Sequence, residues 1–312
     1  MAELIPDDLD FSAYMLESNP RVKVKAASKF AGDMAALFVE RDRSVTRPSM
    51  FSTKLRDAIE FRPGEVTCWA GYNGHRKSMF VGQVALDLCV QRQRVLMASF
   101  EMQPARTLAR MARQAFGVVR PARDSLAAFS TWTDRRLWIF DHLGRIGVAE
   151  TLAVCRYFAE ELKGQHVVLD SMMMVCNSEE SLDEQKQFTT DTVRLAQETG
   201  MHIHLVAHCR KPQSGAEDKP PTKYDLRGSA AISDQAHNVI TVWANKPKKA
   251  KLEKDFTDNA AHAEPDALVT VEKQRNGAFE GRFKLWWHEE SLRFTDERLT
   301  PVEPYVLREH SA

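Results

Sequence analysis

Lys77 and Ser78 close a loop with two glycines, Gly71-Tyr72-Asn73-Gly74-His75-Arg76, and residues of those types at that spacing suit the holding of phosphates. An apolar run, Val66 to Ala70, leads into the loop, and a stretch with helical periodicity, Phe80 to Val90, leads out of it. Strand, loop and helix start in that order turn backbone N–H groups into an anion nest at the positive end of the helix. Lys77 would reach the β- and γ-phosphates of ATP, and the Ser78 hydroxyl would ligate Mg²⁺. Gly71, Asn73, Gly74, His75, Arg76, Lys77 and Ser78 are therefore the candidate nucleotide-binding residues. One of them is irregular. Such loops carry glycine immediately before the lysine, where φ > 0 is needed, and here Arg76 stands there. Either its backbone adopts that conformation or the loop shifts, with the guanidinium free to add a contact to phosphate or to a neighbouring subunit.

Three acceptors or donors could complete a hydrolytic site. Val167-Val168-Leu169-Asp170 is an apolar strand ending in an acid, the place from which a carboxylate holds Mg²⁺ or its water in a P-loop NTPase. Glu101 follows the apolar run Val95–Phe100. Two readings stand for it: general base facing the γ-phosphate, or a first-turn acid of the helix that Pro104 begins. His202, His204 and His208 share a strand face, yet 202 and 208 are ~20 Å apart, too far for one ion. His208, at the carboxyl end, suits a polar sensor near the γ-phosphate.

Basic residues cluster after the last of these strands. Arg210, Lys211, Lys219, Lys223 and Arg227, with Gly228, form a proline-containing loop that either tracks a phosphate backbone or is simply solvated, since Glu217, Asp218 and Asp225 dilute its charge. Lys246 to Lys254 is a second basic run, expected to be a solvated hairpin connection rather than a DNA contact. Lys273 and Arg275 end a late strand before Asn276-Gly277, where an arginine could complete a neighbour's site, or an ordinary tight turn could form.

These residues need a scaffold. The apolar runs Val66–Ala70, Val95–Phe100, Leu137–Phe140, Val167–Leu169 and His202–Ala207 alternate with helical patterns at Ser78–Val90, Pro104–Phe116, Val148–Leu162 and Leu182–Thr199. That alternation predicts an α/β fold, a parallel sheet with helices on both faces. Val239–Ala244, Ala267–Lys273 and Arg282–Trp287 follow as strands expected to join without helices, a RecA-like layout. Residues 1–60 read as a helical extension, with patterns at Ala26–Phe38 and Met50–Ile59 and a hinge over Arg41–Pro48; residues 61–312 read as the ATPase domain. Lys+Arg and Asp+Glu both number 43, so any nucleic-acid site must be local. No run approaches the ~20 apolar residues of a membrane span, the start lacks a signal-peptide pattern, and five scattered cysteines fit a reduced, cytoplasmic protein.

Read together, the segments G-Y-N-G-H-R-K-S, S-F-E-M-Q-P-A-R-T-L-A-R, V-V-L-D-S, V-A-H-C-R-K-P, D-L-R-G-S-A-A-I and E-K-Q-R-N-G resemble the ring-shaped replicative DNA helicases of the DnaB and Twinkle group. The resemblance covers roughly Arg62 to Phe294. It implies an ATP-driven hexamer that translocates on single-stranded DNA and unwinds forks, with primase, polymerase or a loader as partners. Glu101 is then the catalytic base, Asp170 the Mg²⁺-linked acid and His208 the sensor. Lys273 and Arg275 act across a subunit boundary, and Arg210 to Gly228 carries the central-channel DNA loop. The short N-terminus suggests a phage-type member without a primase, at work in the host cytoplasm. The competing expectation is a RecA-like DNA-binding ATPase that loads or remodels partners without unwinding.

Overall fold

In β1 (Val66–Ala70) alternate side chains enter different cores, as period-2 geometry requires: Val66, Cys68 and Ala70 face one helical layer and Trp69 the other. The computed structural model describes residues 27–38, 48–176, 181–212, 217–228 and 230–305. β2 (Val95–Ser99), β3 (Leu137–Ile139), β4 (His166–Asp170), β5 (His202–Val206) and β6 (Asn238–Ala244) join β1 in a parallel array. β7 (Ala267–Gln274), β8 (Gly281–His288) and β9 (Arg293–Thr295) extend it antiparallel, giving the order β3-β2-β4-β5-β1-β6-β7-β8-β9. This is the RecA-like α/β architecture expected.

The first helix, α1 (Ala31–Phe38), follows a 3-10 turn at Ala27–Phe30. The expected Met50–Ile59 helix shrinks to α2 (Thr53–Arg56), which Ser52 caps by accepting the Leu55 N–H at 3.2 Å. Met50, Leu55, Ile59 and Phe61 are at most 1% exposed, so this stretch packs into the same core as the sheet. That core also holds α3 (Lys77–Val90), α4 (Pro104–Phe116) and α5 (Arg123–Thr133), whereas α6 (Val148–Glu160) and α7 (Leu182–Thr199) cover the opposite face.

Two expectations are corrected. The join between β6 and β7 is not helix-free, since α9 (Lys246–Lys254) and α10 (Asn259–Ala263) lie there, whereas β7 and β8 join without a helix as expected; α8 (Ala231–Gln235) precedes β6. The lysine run is therefore a helix, not a hairpin connection. Asn245 caps it by accepting the Lys248 N–H at 3.0 Å, and Lys251 and Lys254 sit in the last turn, where the helix dipole favours cations. It has no apolar stripe, so periodicity could not reveal it. Residues 275–280 join β7 to β8, longer than a two-residue Asn-Gly turn. No described helix is long and apolar enough to cross a membrane. The expected hinge, apart from Pro48, and residues 213–216 of the basic loop lie outside the described residues, as do 1–26.

Candidate nucleotide site

β1, β4 and β5 run parallel and end together, so whatever follows each strand is delivered to one crevice. The loop after β1 is the candidate nest. A side chain at Gly71 would collide with the Val242 carbonyl of β6, which explains glycine there. Gly74 has φ +73°, and Arg76, the residue before α3, has φ 62° and ψ 23°. Arg76 thus takes the left-handed conformation that glycine usually supplies, at a cost of about 1 kcal/mol. Its guanidinium lies 4.3 Å from the centroid of the Trp287 ring on β8, so the side chain packs on an aromatic face.

His75 locks the other side of the loop. It is wholly buried, and its Nδ1 accepts the Ala244 N–H at 3.1 Å, which leaves the proton on Nε2 to donate to Glu217 at 2.8 Å. Burial holds its pKa below the ordinary histidine value, with help from the Lys246 and Lys77 charges and against the Glu217 bond. Glu217 also accepts from Lys246 at 2.6 Å. A loop residue, the end of β6 and the basic segment are joined in one network.

Lys77 is 5% exposed and donates to the carbonyls of Gly71 and Tyr72, both at 2.9 Å. Burial lowers its pKa, while Cys209, Asp170 and Glu101 raise it. Asp170 ends β4 and bonds the Ser78 hydroxyl; burial and the Glu101 charge push its pKa up, against Ser78, Lys77 and Arg110. A hydroxyl and a carboxylate at this spot are hard oxygen donors, a pair that suits Mg²⁺ sharing its remaining positions with water and phosphate.

Glu101 lies between β2 and α4, outside the first helical turn, and accepts the Ser171 hydroxyl at 3.0 Å. The helix-turn reading of Glu101 therefore does not hold. His208 lies just beyond β5. Burial, with the Lys77 charge, pushes its pKa down to about 4, so the ring is neutral near pH 7. Its Nδ1 is buried without a hydrogen-bond partner among the described residues. Lys77, Ser78, Glu101, Asp170 and His208 together line a cavity of about 600 Å³.

Two lining residues escaped sequence reasoning in this role. Arg110 of α4 lines this cavity and the adjoining one of about 760 Å³, into which Arg106 and Arg113 also face. The 3- and 4-residue spacing of these arginines on one helix face was the available signal. Arg227, expected on the DNA loop, also lines the cavity.

Other expected site residues lie apart. Lys273 donates to the carbonyls of Ser233, Asp234 and Ala236 at 2.7–2.9 Å, and Arg275 donates to the Asp234 carbonyl at 2.9 Å. Both sit beside the amino end of β6, at the end of the sheet opposite the phosphate loop, so one chain does not bring them to its own cavity. In the basic loop, Arg210 and Lys211 are exposed, whereas Lys223 is engaged by the Glu272 carbonyl at 3.3 Å. Gly228, at φ +105°, abuts the Gln185 side chain so closely that a Cβ would collide with it.

A family model described as DnaB-like helicase C terminal domain matches residues 53–296. The replicative DNA helicase DnaB of Rickettsia bellii (strain RML369-C) is 23% identical over 176 residues, which cover 50% of this chain and 35% of that protein. The match thus spans about a third of the relative's length. A solved structure of an isolated ATPase domain superposes with a TM-score of 0.70 at 16% identity, over 86% of this chain and 99% of its own. A DnaB-like replicative helicase, solved in work on its interactions with primase, also gives 0.70 at 16%, over 87% and 67%. These two likenesses are of fold. The family match spans most of the sequence, and the chain belongs to the DnaB-like helicase C terminal domain family.

Proposed function

We propose that this protein is an ATP-driven translocase on single-stranded DNA, working as a ring of six, that unwinds duplex at forks. The observation that carries the proposal is the meeting of Lys77, Ser78, Glu101, Asp170 and His208 around one cavity at the carboxyl ends of the parallel strands. Backbone N–H groups of residues 73–78 and the Lys77 ammonium would bind the phosphates. Mg²⁺, held through Ser78 and Asp170, would neutralise phosphate charge. Glu101, fixed by Ser171, is oriented to take a proton from an attacking water. Neutral His208 offers a hydrogen bond at Nδ1 to a group that changes on hydrolysis.

Arg275 and Lys273 would serve the next subunit's site, which their place at the far end of the sheet permits and which would make each site composite. The exposed Met34 on α1, at 57%, supports docking of that helix on an adjacent subunit. Exposed Arg210 and Lys211 would contact DNA phosphates.

A forked-duplex unwinding assay with ATP and Mg²⁺, run beside native mass measurement, tests the reading. Unwinding by an oligomer supports it; DNA-stimulated hydrolysis without unwinding would favour the loading or remodelling ATPase instead. Mixing Arg275→Ala with Lys77→Ala chains should restore part of the ATPase if sites are shared. No recovery among exchanging subunits would remove Arg275 from the neighbour's site.

A further inference from the structure

The irregular residue of the phosphate loop has a partner that its sequence position did not suggest. Arg76 occupies the left-handed region, and its guanidinium rests 4.3 Å from the Trp287 ring centroid. Trp287 is itself fixed from three directions. Its backbone N–H donates to Asp266 at 2.9 Å, its indole N–H donates to Glu289, and its ring packs edge-on against Phe294 at 4.9 Å. Phe294 in turn meets Phe80 of α3 edge-on at 5.3 Å, so the helix that starts at the phosphate loop and the tryptophan that faces Arg76 share one aromatic cluster. Asp266 is further held by an ion pair with Lys248 at 2.7 Å.

We propose that Arg76 and Trp287 form a latch that holds the phosphate loop in its anion-binding shape, the stacked side chain compensating for the glycine that such loops carry before the lysine. Arg76 is thus a positioning residue and not a phosphate ligand through its side chain. A planar guanidinium is suited to this role, because it stacks face-on to an indole and sheds water more readily than an ammonium. Burial lowers its pKa, and the carboxylates of Glu289 and Asp266 work against that shift. The latch also ties the loop to β8, an antiparallel strand on the far side of β6 from β1, so the nest is referenced to the late sheet as well as to the parallel one. This inference rests on the nucleotide-binding reading of the site only for its functional consequence; the latch itself is a property of the loop.

The test has two arms. In the first, binding of a fluorescent ATP analogue with Mg²⁺ is titrated for single and double variants. Arg76→Ala keeps a side chain that resists φ > 0 but loses the stack, and should weaken binding by about 10-fold, the combined order expected of a partly desolvated cation–π contact and backbone strain. Arg76→Gly should recover several-fold of that loss, since glycine adopts the conformation freely. Trp287→Leu should weaken binding about 5-fold beside Arg76, and by less than about 2-fold in the Arg76→Gly background, a coupling that a double-mutant cycle reads directly. If the guanidinium instead bonds phosphate, Gly and Ala at position 76 will lose equally and Trp287→Leu will act the same in both backgrounds, which overturns the latch.

The second arm needs no nucleotide. Amide hydrogen exchange across residues 71–80 should quicken in Arg76→Ala and in Trp287→Leu to a similar degree, with no further increase in the double variant. Unchanged exchange in both single variants overturns the proposal. Were Lys77→Ala to bind the analogue as well as the parent chain, the nucleotide reading would fall while this arm would still decide the latch.

Discussion

His202 and His204, on β5, and His208, just beyond its carboxyl end, come from one heptapeptide and meet opposite surroundings. His204 accepts the Trp69 indole N–H at 3.2 Å and faces His166 at 3.2 Å, while Phe61 lies edge-on at 4.8 Å. His202 donates to the Arg62 carbonyl at 2.7 Å and accepts from Thr67 at 2.8 Å. Every nitrogen of these two rings has a partner inside the protein. His208 has a buried nitrogen with none among the described residues, and it faces a cavity beside Lys77 and Glu101. Burial is the leading cause of a lowered pKa at all three positions, so titration does not set His208 apart. The satisfaction of hydrogen bonds does.

Two substitutions sharpen that contrast between cavity and core. Lys77→Ala, at the ligand end, should weaken binding of an ATP analogue by about 10²-fold or more, the scale of a lost set of charge-assisted bonds, with little change in the urea midpoint. Wild-type affinity would remove Lys77 from the site. His204→Ala, in the core, should do the reverse and cost about 2–3 kcal/mol of stability by urea denaturation, because it opens a cavity and strands the Trp69 donor. A loss below ~0.5 kcal/mol would contradict the packing described.

The histidine cluster also sets a pH dependence. His166, His202 and His204 have folded pKa values held below the ordinary value by burial, so below about pH 6.5 the unfolded chain binds protons that the folded one refuses. Stability is therefore fully present above that pH and falls as pH drops toward the folded values. Urea midpoints measured from about pH 7.5 to about 4.5 should decline, and His202→Gln should flatten the slope. The smallest effect belongs to the exposed loop. Lys211→Ala should reduce the salt dependence of single-strand binding by a slope of ~0.7, with Lys246, Lys248 and Lys249 mattering less. The opposite ranking would move the DNA contact to α9.

The parallel half of the sheet was legible because its strands are apolar runs alternating with helical patterns, and because candidate ligand residues in such sheets follow strand ends. Spacing alone left two readings for Glu101; the chain path between β2 and α4 removes the helical one. The lysine-rich α9 was illegible for a physical reason: its order comes from the Asn245 cap and from ion pairs of Lys248 with Asp266 and of Lys251 with Glu264, none of which leaves a periodic pattern. Arg76 shows a third case. The sequence marked it as irregular, yet its partner Trp287 lies over two hundred residues away, a pairing that only the folded sheet reveals.

The central claim is that Glu101 acts on a nucleotide that the phosphate loop holds, and single-turnover hydrolysis measured beside equilibrium binding in Glu101→Gln tests it most directly. The account predicts that the variant binds an ATP analogue with near-parental affinity and hydrolyses ATP slower by ~10²-fold or more, the usual contribution of a positioned general base. Hydrolysis at close to the parental rate would contradict it.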